Sequence, residues 1–351
     1  MRPITPVLIA GGAGTRLWPA SRGDRPKPFQ RLGMDRTLLQ DTALRFQGPM
    51  FGDPIVICAA AHADLARDQL IEAGVTPLAI LAEPQGRNTA PAVIAAAAYG
   101  AETDPEAPLL LVHADNLASK PQALHAAIAA ALPAVEAGHI VLFGIKPTGP
   151  HTGYGYIQAG LGDGATQAVT AFVEKPDLAT ARRFVADPAY SWNGGMFLFQ
   201  AGVFLREAEA LAPDVAAAVE TALHEARRDG VIVALSDAFI TAPSIAVDYA
   251  ILEKTSLARV AITDFGWSDA GTWSALWQGS PKDADGNAVS GEAILDGVTN
   301  SLAQSDGPTL VLMGVSDLVV VVQNGVLMVA DRNAADGAFK ALKLDERPEL
   351  K

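Results

Sequence analysis

Three glycines within four residues, Gly11, Gly12 and Gly14, are followed at once by a hydroxyl and a guanidinium, Thr15 and Arg16. Ten residues on, an ammonium is held between two prolines in Pro26-Lys27-Pro28. Glycine takes positive φ at little cost and lets a ligand approach the backbone closely. A loop of this composition can turn several N–H groups toward one anion. With Arg16 and Lys27 adding fixed positive charge, the chemistry the stretch suits is the binding of a polyphosphate. A carboxylate, Asp115, follows the apolar run Leu109-Leu110-Leu111-Val112 after two intervening residues. Beside a phosphate cradle it suits Mg²⁺, a hard cation that takes oxygen ligands and keeps substrate phosphates among them.

Spelling excludes two other phosphate loops. A P-loop continues Gly-Lys-Ser/Thr, whereas Gly14-Thr15-Arg16 stands here. The dinucleotide fingerprint requires a small residue at the position of Leu17, counted from Gly12 and Gly14. The glycines alone leave open an ordinary strand-to-loop turn.

The elements that must position these residues are legible as apolar runs. Val7 to Ala10, Pro54 to Ala59, Leu78 to Ala82, Leu109 to Val112 and Ile140 to Gly144 read as short buried strands. Helical spacing over Thr37 to Phe46, His62 to Ala73 and the Ala-rich Ala92 to Ala101 lies between them. Alternating strand and helix predicts an α/β fold, Rossmann-like, with a mixed, mostly parallel sheet flanked by helices. In such sheets ligands gather at the C-terminal strand ends, where both the glycine loop and Asp115 fall. Beyond Pro281 the chain turns to Asp, Gly, Asn and Ser, then to β-branched strands at Leu310 to Met313, Leu318 to Gln323 and Val326 to Ala330. Asn324-Gly325 between the last two is a type I′ hairpin signal. A small all-β, β-solenoid-like C-terminal domain is expected over 279–351, after a catalytic domain over 1–278. The tail from Lys343 is charged and expected to fray.

Composition sets the remaining bounds. Residues 1–36 hold seven basic and two acidic side chains inside a chain of net charge −13. That pattern suits a small polyanion and argues against general affinity for nucleic acid or an anionic membrane. The single cysteine, Cys58, lies in an apolar run and cannot form an internal disulfide. A cytoplasmic location is expected, since the short apolar run before the glycine loop does not make a signal h-region. The Ala-rich stretch is too short to span a bilayer.

The stretch Gly11-Gly12-Ala13-Gly14-Thr15-Arg16-Leu17-Trp18-Pro19, with Pro26-Lys27-Pro28, resembles the signature of the sugar-nucleotide pyrophosphorylases. Later motifs narrow the resemblance to the mannose-1-phosphate guanylyltransferases. Glu83-Pro84-Gln85-Gly86-Arg87-Asn88-Thr89-Ala90-Pro91-Ala92 is similar to their Glu-Pro-x-x-Arg-Asn-Thr-Ala-Pro-Ala and implies a guanine and ribose pocket. By residue type alone, Asn88 or Thr89 could also cap the helix that follows. His113-Ala114-Asp115-Asn116 resembles Pro-Ala-Asp-His and makes Asp115 the metal aspartate, with His113 and Asn116 departing from the family. Thr152-Gly153-Tyr154-Gly155-Tyr156-Ile157 matches the loop whose first glycine admits the sugar hydroxyls. Val173-Glu174-Lys175-Pro176 implies Glu174 on the sugar hydroxyls and Lys175 on the sugar phosphate; a solvated strand-end ion pair is the plainer reading. Trp192-Asn193-Gly194-Gly195-Met196-Phe197 offers Asn193 to the sugar and carries Gly194 where the family has serine. Trp267-Ser268-Asp269-Ala270-Gly271-Thr272-Trp273 makes Asp269 the second metal carboxylate. Asp248, Tyr249 and Glu253 fit either a site or helix packing.

The resemblance implies transfer of GMP from GTP to mannose 1-phosphate, giving GDP-mannose and pyrophosphate, with Mg²⁺ as cofactor. Arg16, Lys27 and Lys175 would be the catalytic cations, and Gly11, Gly12, Gly14, Thr15, Glu83, Asn88 and Thr89 would bind nucleotide. Gly153, Tyr154, Glu174 and Asn193 would bind the sugar phosphate. GTP and mannose 1-phosphate are the expected partners, and a homodimer the expected assembly. Some family members continue into a phosphomannose isomerase domain; that second activity is not expected here. Another sugar or base on the same fold, and a non-catalytic nucleotide-sensing subunit, stay open.

Overall fold

The computed structural model describes residues 2–12, 14–160, 164–337 and 342–343. The chain forms two compact units. The first comprises Met1–Ala10, Ala43–Ala114 and Ala118–Trp267; the second comprises Gly11–Thr42, Asp115–Leu117 and Ser268–Lys351. In chain order the strands are β1 (Thr5–Ile9), β2 (Ile55–Ala59), β3 (Ala79–Glu83), β4 (Pro108–His113), β5 (Leu117–Ala118), β6 (Ile140–Ile145), β7 (Gly155–Ala159), β8 (Gln167–Glu174), β9 (Tyr190–Gln200), β10 (Arg227–Asp229), β11 (Ile232–Ala234) and β12 (Ala258–Thr263). They continue as β13 (Trp267–Ser268), β14 (Ala288–Ser290), β15 (Ala293–Asp296), β16 (Leu302–Ser305), β17 (Leu310–Met313), β18 (Leu318–Gln323) and β19 (Val326–Asp331).

The first unit is built on an eleven-stranded sheet in the order β10-β11-β3-β2-β1-β4-β9-β6-β12-β8-β7. Val7, Leu8, Ile55, Val56, Ile80, Leu81, Leu110 and Leu111 are fully buried, so these strands are covered on both faces, as their unbroken apolar runs require. β11, β3, β2, β1 and β4 pair in parallel, with Ile9 opposite both Ile57 and His113. β1 and β4 therefore end side by side. The parallel majority expected from strand–helix alternation holds only over this half and for β6 with β12. β9 runs antiparallel to β4 and β6 and, at its start, to β7. Eleven residues let one strand serve these neighbours in succession. On the sheet lies the Ala-rich helix Thr89–Ala101, with Ala90, Ala92, Ala95, Ala96 and Ala97 all buried. Its small side chains permit a close approach: a Cβ on Gly100 would sit 3.2 Å from a Leu109 methyl.

The second unit joins the N-terminal signature to the C-terminal strands in one core. Leu17, Trp18, Leu32 and Leu38 are buried with Trp273, Leu302, Val319, Val321 and Met328. At about 1.5–3 kcal/mol for each fully buried large side chain, that core accounts for much of the unit's stability. β14, β16 and β18 pair in parallel, with Ala288 opposite Leu302 and Leu302 opposite Val319; β15 and β17 form a second parallel pair. The Asn-Gly signal is realised: Gln323 pairs with Val326 across a two-residue turn in which Asn324 and Gly325 have φ of 53° and 74°. The charged tail from 344 onward lies outside the described residues. Among the described residues no helix is long and apolar enough to cross a membrane.

Candidate active site

The glycine-rich loop follows β1 with Gly12 and Gly14 at φ of 93° and 59°, and Leu17 N–H donates to Gly14 O at 2.9 Å to close a 3-10 turn over Thr15–Leu17. A side chain at Gly14 would place Cβ 2.6 Å from both Lys27 Cβ and Ser21 Oγ, so glycine is demanded by space as well as by φ. Gly11, Gly12 and the Arg16 side chain are exposed. Ala13, and the side chain of Thr15, lie outside the described structure.

Lys27 begins the short turn Lys27–Phe29, preceded by Pro26 in extended conformation. It is only 4% exposed, a burial that an ammonium tolerates only when paired. Its Nζ lies 2.9 Å from Asp115 Oδ2 and donates to the carbonyl of Asp269. Asp269 is held in a tight turn. Ala270 N–H donates to Ser268 Oγ, Gly271 N–H to Asp269 Oδ1 at 3.3 Å, and Ala270 takes φ of 41°. Thr272 Oγ1 then caps the helix Trp273–Gly279 by accepting from Ala275 N–H. A Cβ on Gly271 would fall 2.6 Å from Asp269 Oδ2 and 2.9 Å from Arg16 Nη2, so the guanidinium and the carboxylate share this glycine's open face. The sequence-assigned Arg16, Lys27, Asp115 and Asp269 thus converge within one unit. Oxygens of both aspartates already meet one cation, the Lys27 ammonium, and two aspartates with substrate phosphates suit Mg²⁺. Among the described residues no cluster of three or more acidic, His or Cys ligands exists, so any metal here depends on oxygens from elsewhere.

In the first unit a second group forms where β7, β8 and β9 meet. Gly155 pairs with Glu174, and a Cβ on Gly155 would lie 2.5 Å from Glu174 Oε2 and 3.3 Å from Asn193 Cβ. Glu174 Oε1 pairs with Lys175 Nζ at 2.8 Å, and this hydrogen bond is the main cause of a raised Lys175 pKa. Lys175 holds φ of 48°, a sparsely populated conformation for a lysine and of a kind that collects at functional sites. Asn193 Oδ1 accepts from Gly195 N–H at 3.1 Å, and its Nδ2 donates to Asp248 Oδ1 at 3.0 Å. Burial, and next the charge of Glu174, push the Asp248 carboxyl up to about 6. Asp248, left undecided by the sequence, orients Asn193; it opens a five-residue π-helical turn, Asp248–Leu252. Tyr154 is stacked on His151 at 3.7 Å and meets Trp192 and Trp267 edge-on at 5.2 Å each. This aromatic box was not visible in the sequence, where its members are scattered over three separate motifs. At Gly194, a Cβ would lie 2.9 Å from Phe143 O, so the family's serine has no room on this backbone.

The Glu83–Ala92 motif also lies in the first unit. Glu83 ends β3, buried, with Oε1 lacking any hydrogen-bond partner. Burial raises its pKa to about 7, and its charge adds to the burial that pushes the Cys58 thiol up to about 12. Asn88, at φ of 64°, caps the Ala-rich helix by accepting from Thr89 N–H, and Thr89 Oγ1 accepts from Val247 N–H at 2.9 Å. Both side chains therefore carry the architecture of this corner, and Glu83 Oε1 lies buried within it without a partner.

One unit thus carries a glycine-rich loop and a buried lysine on oxygens of two aspartates; the other carries a buried acid with an unpaired oxygen and a polar cluster beside aromatic rings. These are the working parts of a nucleotide-handling enzyme. The chain belongs to the nucleotidyl transferase family, whose model matches residues 5–286. It is 42% identical over 357 residues to the mannose-1-phosphate guanylyltransferase of Escherichia coli K12, covering 99% of this chain and 75% of that one. It is 43% identical to the xanthan biosynthesis protein XanB of Xanthomonas campestris, covering 95% of this chain and 71% of that one. Among solved structures it is similar to a Thermus thermophilus protein described as a mannose-1-phosphate geranyltransferase, with TM-score 0.87 and 32% identity over 99% of this chain and 100% of that one.

Proposed function

We propose that this protein transfers GMP from GTP to mannose 1-phosphate, releasing pyrophosphate and forming GDP-mannose. The observation that carries the reaction is 42% identity to a mannose-1-phosphate guanylyltransferase along 99% of the chain. An oxygen of the sugar phosphate attacks the α-phosphorus in line as the bond to the β-phosphate oxygen breaks. That oxygen is already ionised at neutral pH, so no general base is needed. Such a reaction gains most from positioning and from fixed charge where negative charge develops.

The contacts support the following residue roles. Gly11, Gly12, Gly14 and Thr15 supply backbone N–H groups to the triphosphate, and Arg16 and Lys27 neutralise it and the departing pyrophosphate. The free Oε1 of Glu83 accepts from the donor edge of guanine, where N1–H and the 2-amino group stand together. Asn88 and Thr89 shape that pocket through the helix they begin. Glu174 and Asn193 bind sugar hydroxyls, Gly153 and Tyr154 form the wall against the sugar, and Lys175 binds its phosphate. Asp115 and Asp269 would hold Mg²⁺, which when bound supplies charge neutralisation to the phosphates.

The same reading takes 1–278 as the catalytic domain and 279–351 as a β-solenoid-like domain, a view supported by the stacked parallel pairs of β14, β16 and β18. Ile294, Val311, Met313, Leu327 and Val329, each more than half exposed on that region, support a homodimer built through it. We also place the protein in the cytoplasm, a view supported by its single buried thiol. The test is pyrophosphate release with Mg²⁺ and mannose 1-phosphate against GTP, ATP, UTP and dTTP in turn. Release with GTP alone is expected. Release with another nucleotide instead would overturn the guanine pocket, and release with none would favour a nucleotide sensor.

A further inference from the structure

The turn that carries Lys27 does not hold itself. One 3-10 turn supplies few hydrogen bonds of its own. It is closed by Gln30, whose backbone N–H donates to Lys27 O at 3.0 Å. Gln30 is 3% exposed, and both ends of its amide are engaged. Nε2 donates to Arg25 O at 2.7 Å, while Oε1 accepts from Gln323 Nε2 at 3.3 Å. Gln323, the last residue of β18, accepts at its own Oε1 from Gln304 Nε2 of β16 at 3.1 Å. Three buried amides thus run from the parallel strands to the turn beneath Lys27. A second tie comes from the hairpin: Asn324 Nδ2 donates to Pro19 O at 3.1 Å, and Asn324 O accepts from Arg22 Nη2 at 3.1 Å. A third is Ser290 Oγ, which donates to Gly33 O at 3.1 Å, with a Cβ on Gly33 meeting Ser290 Cβ at 3.1 Å.

The geometry points to a positioning role for the C-terminal strands in nucleotide transfer. Gln323 and Asn324 hold the segment from Pro19 to Gln30 so that Lys27 Nζ stays on Asp115 and on the Asp269 carbonyl. Neither residue touches the reacting groups; both act through Lys27. The inference rests on the reading of Lys27 as a triphosphate-binding cation. Satisfied buried amides also stabilise a fold, so the test must separate positioning from stability.

Two variants do so. Gln323→Met keeps an unbranched side chain of similar volume without the amide. Asn324→Gly keeps the left-handed turn and removes only the side-chain ties to Pro19 O and Ala20 O. Each is expected to lower kcat/KM for GTP about tenfold, since small misplacements of a fixed charge are costly. KM for mannose 1-phosphate is expected to stay within about twofold, because the residues assigned to the sugar phosphate do not depend on Lys27. In a Lys27→Ala background neither variant should add a further loss, because the group they position is gone. Wild-type kcat/KM for GTP in a folded variant, or the same tenfold losses on top of Lys27→Ala, would overturn the inference. Should Gln323→Met fail to fold, Asn324→Gly alone carries the test. Wild-type activity in Lys27→Ala itself would overturn the reading of Lys27, and this inference with it, and is read in a separate arm.

Discussion

Replacing Glu83 by glutamine should separate what this carboxyl does for activity from what it costs the fold. Glu83 is 8% exposed, its Oε1 has no partner, and burial raises its pKa from 4.5 to about 7. The unfolded chain gives up this proton near the lower value, and the folded chain keeps it to the higher one. Between the two the folded state binds more protons, so this group's contribution to stability falls as pH rises from 4.5 to about 7 and stays low above. A shift of this size amounts to about 3 kcal/mol. Glutamine does not titrate, so the stability of Glu83→Gln relative to wild type should rise by about 3 kcal/mol between about pH 4.5 and about pH 8, or about 4 °C in Tm for a chain this long. Any constant cost of an unpaired amide cancels in that difference. Thermal melts of both proteins across the range measure it, since other titrating groups are common to the two. Activity should move the other way. Wild-type kcat/KM for GTP should drop as pH falls below about 7, because the protonated carboxyl accepts fewer donors. The variant should show no such dependence and should lose GTP-over-ATP preference by about a hundredfold, the scale for a buried charged group losing its hydrogen bonds. A variant with the wild-type pH slope in stability, or with undiminished preference for GTP, would refute the argument.

Three further outcomes are expected. Lys27→Ala should lose about 3 kcal/mol of transition-state stabilisation, roughly a 150-fold fall in kcat/KM, by comparison with removal of one fixed donor to a developing charge; steady-state pyrophosphate release measures it, and undiminished turnover would sink the assignment. In Gly155→Ala the new Cβ meets the carboxylate end of Glu174 at 2.5 Å. Tm should hardly change, whereas KM for mannose 1-phosphate should rise about tenfold or more with GTP binding intact, and an unchanged KM would remove Glu174 from the sugar site. Chelation with EDTA should abolish activity and added Mg²⁺ restore it, with Asp115→Asn needing about tenfold more Mg²⁺ for half-activity; activity that survives chelation would speak against the metal.

Features whose chemistry is local were legible in the sequence. Asn324-Gly325 specifies its turn because both residues accept positive φ, and Gly14 specifies its loop for the same reason. The strands β1 to β4 announce themselves because burial on both faces leaves no polar position to blur the run. Long-range pairing was not legible. Nothing in the residue types joins Gln30 to Gln323, 293 positions away, since a buried glutamine and a surface one are spelled alike. Asp248 remained ambiguous because an apolar helical pattern looks the same whether its acid is solvated or turned onto Asn193. β9 disguised the sheet as mostly parallel, because an antiparallel strand inserted late in the chain keeps the local rhythm of strand and helix. Gly194, which stood as a departure from the family pattern, is explained only by the Phe143 carbonyl facing it.

The central claim, attack by the sugar phosphate on the α-phosphorus of GTP, is tested most directly by following labelled phosphorus. Incubated with Mg²⁺, mannose 1-phosphate and GTP labelled at the α-phosphorus, the protein should carry the label into GDP-mannose, and label at the γ-position should leave entirely in pyrophosphate. Label from the γ-phosphorus in the sugar product, or α-label that never joins the sugar, would contradict it.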